Sequence, residues 1–193
     1  LCVDLQDVGA RYYTFAATMA LAMRAAARAR LRVVVLDRPN PIGGQLVEGN
    51  LQRPGYESFV GLYPLPARHG MTMGEMARLF NEHYRIGCEL EVVACEGWRR
   101  RDWFDETGLP WVPPSPNMPH LSTATVYPGM CLVEGTNLSE GRGTTRPFEM
   151  AGAPWLDPCA LSAELAAERL PGAIFRPVWF RPTSGKHAGK ACG

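Results

Sequence analysis

The chain has 193 residues, 46% of them hydrophobic and 20% charged, with a formal net charge of +1. That length and apolar share are enough for a buried core. So balanced a charge gives no electrostatic basis for binding nucleic acid or a membrane surface, and no apolar run approaches the roughly 20 residues that span a bilayer. Of the 20 basic residues only Lys186 and Lys190 are lysines. A genomic preference for arginine codons accounts for this bias and lowers the weight of any single arginine.

Residues 1–5 read as an apolar strand that runs into the polar Gln6 and Asp7 before Gly9. Residues 14–30 follow as a helix, because Phe15, Met19, Ala22, Met23 and Ala26 recur at helical spacing on one face. Residues 31–36, LRVVVL, form a continuous β-branched run that suits a strand covered on both faces. Strand, helix and strand with short connections make a βαβ unit and predict a parallel, doubly wound sheet. Ligands of such sheets collect at the carboxyl ends of the strands. Residues 4–7 and 37–40 fall there. No GxGxxG follows either strand, so a dinucleotide is not supported.

Thr72 and Glu75 then form a capping box for a helix running to about Tyr84, with Met76, Leu79 and Phe80 on its apolar face. Residues 89–94 alternate as a strand. Asp157 and Pro158 are an N-cap and first-turn pair for a helix to about Leu170, stopped by Pro171-Gly172. Residues 174–180 read as a last strand, and residues 98–154 as an irregular stretch longer than an ordinary loop. The expected fold is α/β: part of a Rossmann-like parallel sheet over residues 1–66, and a second, smaller α+β domain over 67–193, with a cleft between them. Six cysteines show no CxxC or Cys/His spacing, so zinc is unsupported and buried thiols are expected, with one or two disulfides open if the protein is exported. The start at Leu1 and the abrupt stop at Gly193 read as a piece of a longer chain.

The densest chemistry lies in residues 134–149, EGTNLSEGRGTTRPFE. Three carboxylates (Glu134, Glu140, Glu149), two arginines (Arg142, Arg146) and several hydroxyls are punctuated by Gly135, Gly141 and Gly143. Such a segment is poor core material. It is flanked by the stiff run LPWVPPSPNMP and an apolar stretch, which is how proteins present binding or catalytic groups on a loop.

Six blocks carry a resemblance: DLQDVGARYYTF (4–15), VLDRPNPIGGQLVEGN (35–50), ARHGMTMGEMA (67–77), FDETGLPWVPPSPNMP (104–119), YPGMCLVEGTNLSEGRGTTRPFEMAGAPW (127–155) and KHAGKACG (186–193). In order and over nearly the whole chain, they resemble the exo-β-N-acetylmuramidases of the NamZ type, formerly DUF1343. The resemblance implies a Rossmann-like N-terminal domain and a smaller C-terminal domain with the active site in the cleft. It implies removal of terminal N-acetylmuramic acid from the non-reducing end of peptidoglycan-derived glycans or muropeptides, by an extracellular or periplasmic bacterial protein; separately, no cofactor or metal is expected. Family members also carry an earlier segment with a Glu-His motif that supplies a catalytic carboxylate. No equivalent occurs here, so this stretch by itself is expected to be inactive.

Glycoside hydrolysis commonly uses two carboxyl groups, one of them kept protonated. A substrate's acetamido group can replace one of them as nucleophile. Glu134 and Glu140 are the leading carboxylates, each with a salt bridge to Arg142 or Arg146 as the rival reading. Arg142, between two glycines, suits a ligand carboxylate such as the lactyl group of muramic acid. Asn117 and Asn137 suit sugar hydroxyls. Glu149 reads as a tie between loop and core. At the strand ends, Gln6 and Asp7 are substrate candidates, as are Arg38 and Asn40. Asp37 is a candidate base, against a self-contained Asp–Arg turn. His69 is a candidate proton donor, against a histidine bonded to the helix start. Arg68, Glu48 and Tyr127 complete the substrate-binding set, Tyr127 by stacking on a sugar or simply by packing. The competing functions are a non-catalytic muropeptide-binding module and a nucleotide-dependent Rossmann enzyme.

Overall fold

Three short apolar runs make the sheet of the computed structural model, which describes all 193 residues, Leu1–Gly193. β1 (Cys2–Val3), β2 (Val33–Leu36) and β3 (Leu90–Val93) lie side by side in that order, all parallel. Cys2 stands opposite Val34, and Val33 opposite Leu90. Helix α1 (Phe15–Ala29) joins β1 to β2, giving the βαβ unit that the periodicity predicts. It ends at Arg30, whose left-handed backbone lets its N–H reach the last carbonyls. α2 (Met73–Glu82) opens with the capping box: Thr72 Oγ1 accepts from the Glu75 N–H, and the Glu75 carboxylate accepts from the Thr72 N–H.

Val3, Val33 and Val35 from the sheet meet Met19 and Met23 of α1 and Met73, Met76 and Phe80 of α2 in one buried cluster. Tyr63 stacks on Tyr84 at 4.2 Å and lies 4.7 Å from Phe80, while Arg24 donates to its hydroxyl at 2.8 Å. The expectation of a strand covered on both faces is corrected here. β2 alternates, with Val33 and Val35 buried but Val34 and Leu36 only half-buried, because α1 and α2 both pack with the Val33/Val35 side.

The chain divides into two units, Leu1–Pro114 and Ser115–Gly193. The sequence reading places a domain boundary at 66/67. β3 pairs with β2 along its whole length, and α2 shares the sheet's core, so both belong to the first unit. The second unit holds α3 (Leu121–Met130), which continues into a 3-10 turn over Cys131–Gly135, and α4 (Pro158–Ala167). Its buried side chains include Met118, Ala124, Tyr127, Phe148 and Ala153. Asp157 caps α4 by accepting from the Cys159 and Ala160 N–H groups, as expected.

Two local expectations fail. α3 lies within the stretch read as irregular. Residues 174–180 form no strand: Phe180 makes one isolated bridge to Cys192, and Ile174 is 98% exposed. All six cysteines are unpaired, although Cys2 and Cys159 are exposed. No helix is long and apolar enough to cross a membrane.

Candidate functional site

The carboxyl ends of β1 and β2 carry a connected polar group in the first unit. Asp37 follows β2 directly and is engaged at both oxygens. Oδ2 accepts from the Thr72 hydroxyl at 2.8 Å and Oδ1 from the Gly74 N–H at 2.7 Å. The carboxylate thus sits at the amino end of α2, where free N–H groups and the helix dipole favour a negative charge. A local Asp37–Arg38 contact, weighed from the sequence, is present through the backbone: the Arg38 N–H donates to Asp37 Oδ1 at 3.0 Å, while the two side chains do not pair. Arg38 Nε donates instead to Asp4 at 2.6 Å, and this bond holds the Asp4 carboxyl below its ordinary range. Asn40 is buried as a brace, donating to the Met71 carbonyl at 2.9 Å and accepting from the Ile42 N–H at 3.2 Å. Gln6 donates to the carbonyls of Asp7 and Pro39. Arg68 donates to Glu48 at 2.7 Å and to the Ile42 carbonyl at 2.5 Å, with its guanidinium over the Trp103 ring; Glu48 itself is exposed.

Asp7 and His69 are the pair with chemistry to spare. Both are buried, and His69 Nε2 stands 3.2 Å from Asp7 Oδ2. The distance suits an ion pair, but the angle falls short of a hydrogen bond. His69 Nδ1 accepts from the Met71 N–H, so the neutral ring carries its proton on Nε2, facing the carboxylate. Asp7 Oδ2 also accepts from the Gly9 N–H at 2.6 Å, while Oδ1 is buried without a partner. An orphaned carboxylate oxygen at the carboxyl end of a parallel sheet is where a ligand donor would be accommodated.

The second unit gathers Glu134, Glu140 and Arg142 as the sequence suggests, and adds Lys186. Arg142 donates from Nε and Nη2 to Glu134 Oε1, at 2.8 and 2.5 Å. Its Nε also lies 3.3 Å from Glu140 Oε1, and its guanidinium lies over Phe148. Lys186 Nζ approaches Glu140 Oε2 at 3.4 Å and donates to the carbonyls of Val133 and Glu134. The Glu134 side chain is 36% exposed and that of Glu140 only 4%, with Oε2 lacking any hydrogen bond. Glu140 therefore lies behind the two cations and acts on them, whereas Glu134 and Arg142 keep open edges.

Tyr127 is packed rather than offered as a platform: its ring meets Phe148 edge-on at 4.7 Å, and burial pushes its phenol far above the ordinary range. Burial likewise raises the neighbouring Cys131 thiol to about 11, so it is no nucleophile at neutral pH. Asn137 is exposed, and its carbonyl lies 2.7 Å from His187 Nε2. Asn117 is half-buried in a turn closed by the Met118 N–H on the Ser115 carbonyl. Glu149 accepts from Ser122, Thr123 and Arg146, the structural tie expected of it. Sequence reasoning missed Lys186. Its signal was that it is one of two lysines in the chain and opens the KHAGK block.

Residues 1–122 match the family model for exo-β-N-acetylmuramidase NamZ, N-terminal, and residues 125–193 match that for its C-terminal part. The chain is 52% identical over 192 residues to the peptidoglycan β-N-acetylmuramidase NamZ of Bacillus subtilis strain 168, a match that covers all of this chain and 46% of that protein. Two solved DUF1343 family proteins of Bacteroides fragilis NCTC 9343 superpose on the whole chain with TM-scores of 0.93 and 0.80, at 39% and 33% identity, each over 51% of its own length. The chain thus spans about half the length of the relatives it matches. With both family models matched and both polar groups formed by the blocks that carry the resemblance, the chain belongs to the exo-β-N-acetylmuramidase NamZ family.

Proposed function

We propose that this chain is part of a glycoside hydrolase that removes terminal N-acetylmuramic acid from the non-reducing end of peptidoglycan fragments, in the service of cell-wall turnover. The observation that carries this reading is 52% identity, over the full chain, to a protein named for muramidase activity on peptidoglycan. The polar groups are consistent with it. Arg142 spends Nε and Nη2 on Glu134 but keeps an open guanidinium edge of the kind that binds a carboxylate, and muramic acid differs from glucosamine by a lactyl ether that carries one. Glu134 lies beside it as a partly exposed carboxylate, and Asp7 with His69 supplies a buried proton-handling pair. Fragments shed from the wall arise outside the cytoplasmic membrane, which suits an enzyme that works in the periplasm or outside the cell.

The test is to incubate the full-length protein with a chromogenic β-glycoside of N-acetylmuramic acid and, in parallel, with that of N-acetylglucosamine. Release of chromophore from the first and not the second is expected. Saturable binding of the muramyl glycoside without turnover would replace this reading with a non-catalytic binding module.

A further inference from the structure

Residues 183–187 run beneath the Glu134–Arg142 loop and hold it at three places. The Thr183 N–H and hydroxyl both donate to the Gly143 carbonyl, each at 2.9 Å. Lys186 Nζ donates to the Val133 carbonyl at 3.2 Å and the Glu134 carbonyl at 2.8 Å, and faces Glu140 Oε2 at 3.4 Å. His187 Nε2 meets the Asn137 carbonyl at 2.7 Å, with its ring edge-on to Trp155. The seat is tight. A Cβ on Gly143 would stand 2.8 Å from the Ser184 carbonyl oxygen, and Gly143 has φ +78°, which favours glycine.

The charges explain why the strut carries a lysine. Glu140 is buried, and burial of a lone carboxylate is costly unless cations face it. Arg142 faces one oxygen at 3.3 Å and Lys186 the other. Arg142 is shared, because its Nε and Nη2 already serve Glu134. Without Lys186 the guanidinium would be drawn from Glu134 toward the uncompensated Glu140, and the edge left open for a ligand would turn with it. The ammonium's remaining donors close two carbonyls at the end of the 3-10 turn that carries Glu134.

We propose that Lys186 is a positioning residue of the muramidase: by balancing the buried Glu140 and anchoring Glu134, it keeps Arg142 aimed at the carboxylate of the muramyl ligand. This rests on the function proposed above, and the experiment separates the two. In the full-length protein, Lys186→Met, Glu140→Gln and the double variant form a cycle for urea unfolding, with Lys186→Arg as the conservative rescue. The expected coupling is about tenfold in the folding equilibrium constant. Glu140→Gln restores stability to Lys186→Met although it weakens the wild type. Equal effects of Glu140→Gln in both backgrounds would overturn the pairing.

Kinetics with the muramyl glycoside supply a readout that mere structural damage would not move. A smaller folded fraction lowers apparent kcat and leaves KM alone. A turned Arg142 raises KM, here by about tenfold, with partial recovery in Lys186→Arg. An unchanged KM in folded Lys186→Met would overturn the positioning role. If the wild-type protein turns over no muramyl glycoside, the proposed function falls, while the unfolding cycle still decides the Lys186–Glu140 link.

Discussion

Asp37 illustrates how residue type and position look catalytic while the contacts are structural. Both of its oxygens bond to the start of α2, and Oδ1 also accepts from the Arg38 N–H. Asp37→Ala is expected to lower stability by about 1–3 kcal/mol, read from urea midpoints, because it strips a helix end of two contacts. Gly74→Ala should act on the same spot, since its Cβ would lie 2.6 Å from a Val92 methyl and 2.8 Å from the Asp37 carboxyl carbon. Glu149 gives a prediction in pH. Burial alone would raise its pKa, but hydrogen bonds from Thr123, Arg146 and Ser122 outweigh that and leave it below the ordinary 4.5. A depressed folded-state value means stability that is fully present above about pH 4.5 and is lost as pH falls through the folded value. Urea midpoints taken down through that window should fall more steeply for the wild type than for Glu149→Gln. Parallel curves would show that Glu149 carries no such linkage.

At the scale of elements, both predicted caps are present, but they support different things. Thr72 bonds to the Glu75 N–H and to Asp37, and α2 buries Met73, Met76, Ala77 and Phe80 in the main core. Thr72→Ala should therefore lower global stability by about 0.5–2 kcal/mol. Asp157 caps α4, whose single buried residue is Pro158. Asp157→Ala is expected to speed amide exchange within Pro158–Ala167 with little change in the global midpoint. α3 escaped notice because LSTATVYPGM has no apolar stripe at helical spacing, is rich in β-branched residues and contains Pro128. It is helical because Thr123, Ala124 and Tyr127 are buried in the second unit, a tertiary cause. Residues 174–180 failed in the opposite direction, having strand-forming side chains but no partner strand along most of their length.

Over the whole molecule, the large contiguous cluster of buried apolar residues belongs to Leu1–Pro114. β2 is paired on both edges and lies within that cluster. Hydrogen exchange on the intact protein should find its slowest amides in Val33–Leu36, with weaker protection through Ser115–Gly193. Slowest exchange in the second unit would contradict this. The sheet was legible because a run such as VVVL after a periodic helix is a local pattern. The reach of the first unit was not, since β3 is placed by pairing with a strand nearly sixty positions earlier in the chain.

Caps, helical faces and the βαβ order could all be read directly from the residues, because each depends on neighbours within a turn or two, and the motif blocks by themselves identified the family. Which charge faces which was settled only by folding. Lys186 reaches a carbonyl 52 positions away, Asp37 turns to a helix start 37 positions on, and Arg38 passes over its neighbour to take Asp4. A buried carboxylate is satisfied by whichever donors the packed chain brings within about 3–4 Å, and no spacing along the sequence encodes that distance.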